Sequence, residues 1–133
     1  RKIDYATSME GSLKLKEVSY IHSEAYQAGE LKHGTISLIE DGMPVFAIVT
    51  DETIKDKTVS NIEEVKSRGA KTIIISNETW QNQKLQVVVP KISPYFQPIL
   101  IVPTLQLIAY ETAKLRGCDI DKPKNLAKSV TVE

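Results

Sequence analysis

Glu10, Lys14 and Glu17 follow one another at spacings of four and three residues, which places side chains on one face of an α-helix. At about 100° per residue the three fall within roughly 60° of one another, with Leu13 and Ile21 flanking them and Ser12 and Ser19 on the opposite side. A carboxylate held on a rigid element can carry a proton to or from a substrate, with an ammonium beside it for charge balance. Charges that line a cleft are costly unless paired or functional. A solvated face would carry its serines and charges together, and this one separates them. The same spacing also describes an ordinary surface ladder of Glu–Lys pairs, and helix geometry alone leaves both readings open. His33 stands in GELKHGT (residues 29–35), between two glycines, where a side chain can face a ligand or simply face water. His22 has less to recommend it. Lys128 lies in a polar tail that composition does not distinguish from Lys122 or Lys124. Cys118 follows Gly117 with no histidine near it in sequence, which argues against a reactive thiol. No Gly-rich phosphate loop of the GxGxxG or GxxxxGK type occurs.

The elements that must position these residues alternate between helix and strand. Residues 4–21 contain good helix formers and no proline. MPVFAIVT (43–50), TIIIS (72–76) and LQVVV (85–89) are apolar, β-branched runs of the kind buried on both faces of a sheet. Residues 53–68 place Ile54, Ile62 and Val65 at roughly helical spacing before Gly69, and 98–116 form the longest periodic segment, with a kink expected at Pro103. Buried strands separated by helices predict a doubly wound α/β fold, a mostly parallel sheet with helices on both faces. Ligands in such folds sit beyond the carboxyl ends of the strands. The first helix has no strand before it, so an edge member of the sheet is expected to be missing.

The chain has 133 residues, enough for one domain, with 41% hydrophobic and 26% charged residues, ordinary for a globular protein. Seventeen basic and seventeen acidic residues cancel, which argues against a nucleic-acid or anionic-membrane surface. One cysteine excludes an internal disulfide and a CxxC metal site. The most apolar stretch, 99–110, is too short and too interrupted to span a bilayer. With no basic-then-apolar leader, the expected location is the cytoplasm. The chain starts at Arg1 rather than methionine, which reads as a processed product or a piece of something longer.

Three segments together resemble a known family. EGSLKLKEVSYIHSEAYQAGELKHGTISLIEDGMPV (10–45) is similar to the start of the second sugar-isomerase (SIS) domain of the glutamine–fructose-6-phosphate aminotransferases. SNIEEVKSRGA (60–70) is similar to their following helix, and DIDKPKNLAKSVTVE (119–133) to their C-terminal tail. The resemblance implies a flavodoxin-like SIS sandwich over residues 1–118, truncated at its N-terminus, and a tail over 119–133 that contributes to the active site. It implies transfer of glutamine-derived ammonia to fructose 6-phosphate, giving glucosamine 6-phosphate and glutamate. Lys128 then matches the lysine that forms a Schiff base with the C2 ketone, and Glu17 the base that moves a proton between C1 and C2. His33 matches the ring-opening residue that a neighbouring subunit donates in a homodimer. Glu10 and Lys14 match supporting polar residues, and Ala127 lies where backbone contacts to the sugar are made. No cofactor and no metal are expected.

The departures matter as much. The family's glutaminase half depends on an N-terminal cysteine, and its first SIS domain supplies the loop that holds the sugar phosphate; neither is in this sequence. The expectation is a C-terminal fragment, inactive alone, whose first strand ends just before Arg1. Two alternatives from other classes are a sugar-phosphate-binding SIS module of a regulator, without catalysis, and a related SIS deglycase or isomerase.

Overall fold

The computed structural model describes residues 2–126. Helix α1 (Lys2–Ser19) opens the chain. An extended return segment and two 3-10 turns, Glu30–His33 and Thr35–Leu38, follow it. Then come β1 (Pro44–Val49), a 3-10 turn (Glu52–Ile54), α2 (Lys55–Lys66), β2 (Lys71–Ser76), β3 (Gln86–Val88) and α3 (Pro98–Leu115). Among the described residues the sheet runs in the order β1-β2-β3 with both pairings parallel. All three expected strands are therefore present, in an α/β fold. Helix α3 continues unbroken through Pro103.

The TIIIS run builds the centre. Successive strand residues point to opposite faces, and Ile74 and Ile75 are both fully buried. Ile74 packs with Val49 and with Ile62 of α2. Ile75 packs with Ile48, Val89 and the α3 residues Ile101 and Leu105. One strand thus nucleates two cores, with α2 on one face and α3, backed by α1, on the other.

Two expectations need correction. The runs at 43–50 and 85–89 are not buried on both faces: Phe46 is 40% and Val88 46% exposed. Among the described residues β1 and β3 each pair along one edge only, so an apolar run marks membership of the sheet without marking a central place in it. No helix separates β2 from β3. The connection is the loop 77–85, where side-chain amides do the work of a ladder. The Trp80 N–H donates to Gln86 Oε1 (2.9 Å), and Gln86 Nε2 donates to the carbonyls of Trp80 (3.0 Å) and Gln83 (2.7 Å). Trp80 packs against the Val49–Ile62–Ile74 cluster and covers sheet that a crossover helix would otherwise cover.

Helix α1 is placed by three features. The Asp4 carboxylate, 5% exposed, accepts from the Thr50 N–H (3.0 Å) and the Thr50 hydroxyl (2.5 Å) just past the end of β1. Lys2 pairs with Asp51 (3.0 Å) at the same end. Farther along, a Cβ on Gly11 would lie 2.8 Å from a Leu105 methyl, so α1 and α3 touch where only glycine fits without a shift. The N-terminus of α1 therefore lies at the carboxyl ends of the strands and its C-terminus at the other end of the sheet. Asp4→Ala leaves the buried Thr50 donors without an acceptor, and is expected to cost about 2–3 kcal/mol of unfolding free energy. Urea denaturation checks this; a loss below about 0.5 kcal/mol would show that Asp4 does not hold the helix.

Candidate active site

The spacing of Glu10, Lys14 and Glu17 does bring them together. Lys14 Nζ lies 2.7 Å from Glu17 Oε2 and 3.8 Å from Glu10 Oε1, an ammonium shared by two carboxylates. The side chains are 35%, 31% and 28% exposed for Glu10, Lys14 and Glu17, respectively. The Glu111–Lys114 pair on α3 has the i, i+3 spacing of a solvated ladder, and its side chains are 52% and 62% exposed. The α1 cluster is therefore half-covered: reachable by a ligand, yet partly withdrawn from water. The hydrogen bond from Lys14 to Glu17 raises the lysine's pKa above its usual value; partial burial opposes this, and the Glu10 charge adds to it. Lys14 is a firm cation at neutral pH, and it fixes the Glu17 carboxylate in one place.

The serines opposite the cluster explain the inverted amphipathicity. Ser12 Oγ donates to the Ser23 carbonyl (2.8 Å), and Ser23 Oγ donates back to the Ser12 carbonyl (3.0 Å), clamping the return segment onto α1. Ser19 is fully buried with its hydroxyl on the Leu15 carbonyl (2.6 Å). These are small polar residues that let backbones approach closely, each hydrogen-bonded as burial requires.

Of the other expected site residues, His33 is described and is not gathered here. His33 is exposed on the turn Glu30–His33. Among the described residues it makes no hydrogen bond or ion pair with the α1 cluster, while its neighbour Lys32 anchors the turn to Glu64 of α2 (2.7 Å). That contact lowers the Glu64 pKa. Ala127 and Lys128 lie outside the described residues. His22 is surface-exposed beside Glu24, 3.6 Å away. Cys118 Sγ rests 3.9 Å from the Ser19 carbonyl, a packing contact that brings the end of α3 onto the end of α1. The rule that ligands sit beyond strand carboxyl ends does not locate the cluster: Glu17 stands thirteen residues past Asp4, about 20 Å along the helix axis toward the other end. Two residues that the sequence did not single out, Asp4 and Tyr20, prove to be fixed points. Nothing in the sequence signals Tyr20, because the helix is expected to run to residue 21 and in fact ends at Ser19. Among the described residues no three His, Cys, Asp or Glu side chains converge as a metal site would require, and no helix is long and apolar enough to cross a membrane.

The chain is a parallel α/β sheet between helices, with a carboxylate–ammonium–carboxylate cluster on one helix flank. The SIS domain family matches residues 2–116, and the chain belongs to it. Its relatives narrow the comparison. A glutamine–fructose-6-phosphate aminotransferase (isomerizing) of Clostridium tetani is 57% identical over 137 aligned residues, which take in all of this chain and 22% of that protein. The C-terminal domain of glucosamine-fructose-6-phosphate aminotransferase from Francisella tularensis superposes with a TM-score of 0.85 at 37% identity, covering 92% of this chain and 36% of that one. A glucosamine-6-phosphate deaminase from Thermotoga maritima has a TM-score of 0.70 at 26% identity, covering 95% of this chain and 37% of that one. The chain thus spans 22% of the length of the curated relatives it matches.

The raised Lys14 pKa gives a pH test. A lysine whose pKa rises on folding contributes stability below its ordinary value of 10.5 and loses it as pH climbs through the folded value. Lys14→Met should cost less than about 1 kcal/mol at neutral pH, since the pair is partly solvated. The difference from wild type should close above the ordinary lysine range. Denaturation at neutral pH and in that alkaline range checks it, and a gap that persists at high pH would refute the ion-pair origin.

Proposed function

We propose that this chain is the C-terminal isomerase portion of a glutamine–fructose-6-phosphate aminotransferase, acting in the cytoplasm on fructose 6-phosphate to form glucosamine 6-phosphate. The observation that carries the reading is the Lys14–Glu17 contact. It holds a carboxylate on a helix, in a chain 57% identical to a protein of that name. Residues 119–133 are read as a tail contributing to the site, and 1–118 as the SIS domain. Sugar-phosphate binding follows from the same family relationship.

The chemistry assigned to each residue is as follows. His33, donated across a homodimer, opens the ring by giving a proton to the ring oxygen as the anomeric hydroxyl loses one. The Lys128 amine attacks the C2 ketone and water leaves, forming an imine. That amine must be neutral. Ammonia then adds to that imine and the Lys128 amine leaves, so the new nitrogen stays on C2, and Glu17 carries a proton between C1 and C2, which requires a carboxylate held over both carbons. Glu10 steadies Lys14, and the Ala127 backbone contacts the sugar. Ammonia comes from a glutaminase domain, and the phosphate is gripped by a first SIS domain. The deaminase-like neighbour keeps a related sugar-phosphate isomerase as the second reading.

In the intact enzyme, borohydride in the presence of fructose 6-phosphate should label Lys128 covalently. Label on another residue, or none in a competent enzyme, defeats the Schiff-base assignment. Glu17→Gln should lower kcat by about 10²–10⁴-fold with binding retained. The 133-residue chain alone, given fructose 6-phosphate and ammonium, is expected to make no glucosamine 6-phosphate, since lost positioning removes up to roughly 7–11 kcal/mol of catalysis. Turnover comparable to the intact enzyme, abolished by Lys128→Ala, would overturn that expectation.

A further inference from the structure

We infer that Tyr20 is a positioning residue that tethers the C-terminal tail beside the Glu10–Lys14–Glu17 cluster; the inference rests on the isomerase reading above for what the tail delivers, but not for the tether itself. Two contacts of different kinds join Tyr20 to the tail. Its phenol oxygen accepts the backbone N–H of Lys124 at 2.7 Å, across 104 residues of sequence. The Lys124 ammonium lies 5.5 Å from the centre of its ring, within the range of a cation–π contact.

The backbone gives the second line of argument. Tyr20 has φ +58°, in the left-handed region directly past the end of α1. A glycine would take that conformation without strain, and helices commonly end on one. A tyrosine there is strained, and such outliers persist where the surroundings use the side chain. The use visible here is the tail.

The path to Tyr20 is also prepared. After α3 the chain turns at Gly117 (φ +69°), and Cys118 rests on the Ser19 carbonyl. The Asp119 carboxylate then accepts the N–H groups of Asp121 (3.1 Å) and Lys122 (3.0 Å), which folds the segment toward α1. Lys124 is thereby held against a residue only three positions, about 4.5 Å of helix rise, beyond Glu17. From Lys124 to Lys128 is four residues, which span at most about 14 Å when fully extended. The tether therefore starts the tail within reach of Glu17. Without it, the last held residue before Lys128 among the described ones is Lys122, six residues away and about 22 Å at full extension.

The test compares wild type with Tyr20→Phe in the intact enzyme. Phenylalanine keeps the ring and removes only the oxygen that accepts Lys124 N–H. Hydrogen exchange should speed up at residues 124–126 and stay unchanged at Asp121 and Lys122, which Asp119 holds. With fructose 6-phosphate saturating, kcat and the rate of borohydride trapping at Lys128 should fall together by about three- to tenfold, the worth of one hydrogen bond. KM and melting temperature should stay near wild type, which a merely structural role for Tyr20 does not predict. Tyr20→Leu, which also removes the aromatic face, should lose more, approaching ~100-fold. Unchanged exchange at 124–126 overturns the tether whatever the reaction turns out to be. Faster exchange with unaltered trapping and kcat overturns the positioning role. If the wild-type enzyme traps no sugar at Lys128, the isomerase reading fails, and exchange alone then decides whether Tyr20 holds the tail.

Discussion

The seating of α1 depends on a buried carboxylate. Asp4 sits at 5% exposure in a region that would normally reject a charge. It stays there because Thr50 supplies two donors from the residue that follows β1. This is a contact between the first turn of a helix and the end of a strand, so it fixes both how far α1 slides along the sheet and how it is rolled. The roll has consequences along the whole helix. With Asp4 turned inward, Gly11 meets Leu105 and Ser19 is fully buried. The Glu10–Lys14–Glu17 row is carried to the shoulder, about a quarter-turn from the α3 contact at Gly11. A roll of one residue position, about 100°, would bury the cluster or send it to the outer face where Met9 and Leu13 stand. The half-covered state of the site is thus set about 9–20 Å away along the helix, by two hydrogen bonds in its first turn.

Much of the fold was legible because strand formation here follows one strong local signal. A run such as TIIIS has no polar face to offer water, and the structure buries it between two layers. The same signal overreached at Phe46 and Val88, because an edge strand and a central strand can share a composition; only pairing partners tell them apart. The loop between β2 and β3 was illegible for another reason. Its order comes from the Gln83 and Gln86 side chains standing in for backbone partners, and glutamine has no sequence pattern that announces this.

The candidate site divides along similar lines. Glu10, Lys14 and Glu17 were readable because helical geometry fixes their mutual distances without help from tertiary structure. The segregation of serines from charges was readable as a fact but not in its cause. Ser12 and Ser19 face inward because the return segment and α3 press close to α1, and a small hydroxyl can satisfy itself on a neighbouring carbonyl. Asp4 and Tyr20 escaped notice because their partners, Thr50 and Lys124, are 46 and 104 residues distant in sequence. No local period connects such pairs.

This division bears on how such a site is assembled. On the proposed reading Glu17 moves a proton between two adjacent carbons, a task that tolerates little displacement, and it is borne in the last turn of a long helix whose position is fixed at its far end. His33 sits on a turn tied to α2 through Lys32 and Glu64, and Lys128 belongs to a tail tied to α1 through Tyr20. His33 is joined to the body through its neighbour Lys32, and the tail is joined at Lys124. Such residues can be brought to a substrate by surfaces outside this domain, whereas Glu17 cannot be moved without unseating α1. The helix therefore defines the fixed frame of the chemistry, and the turn and the tail are the parts that have to come to it.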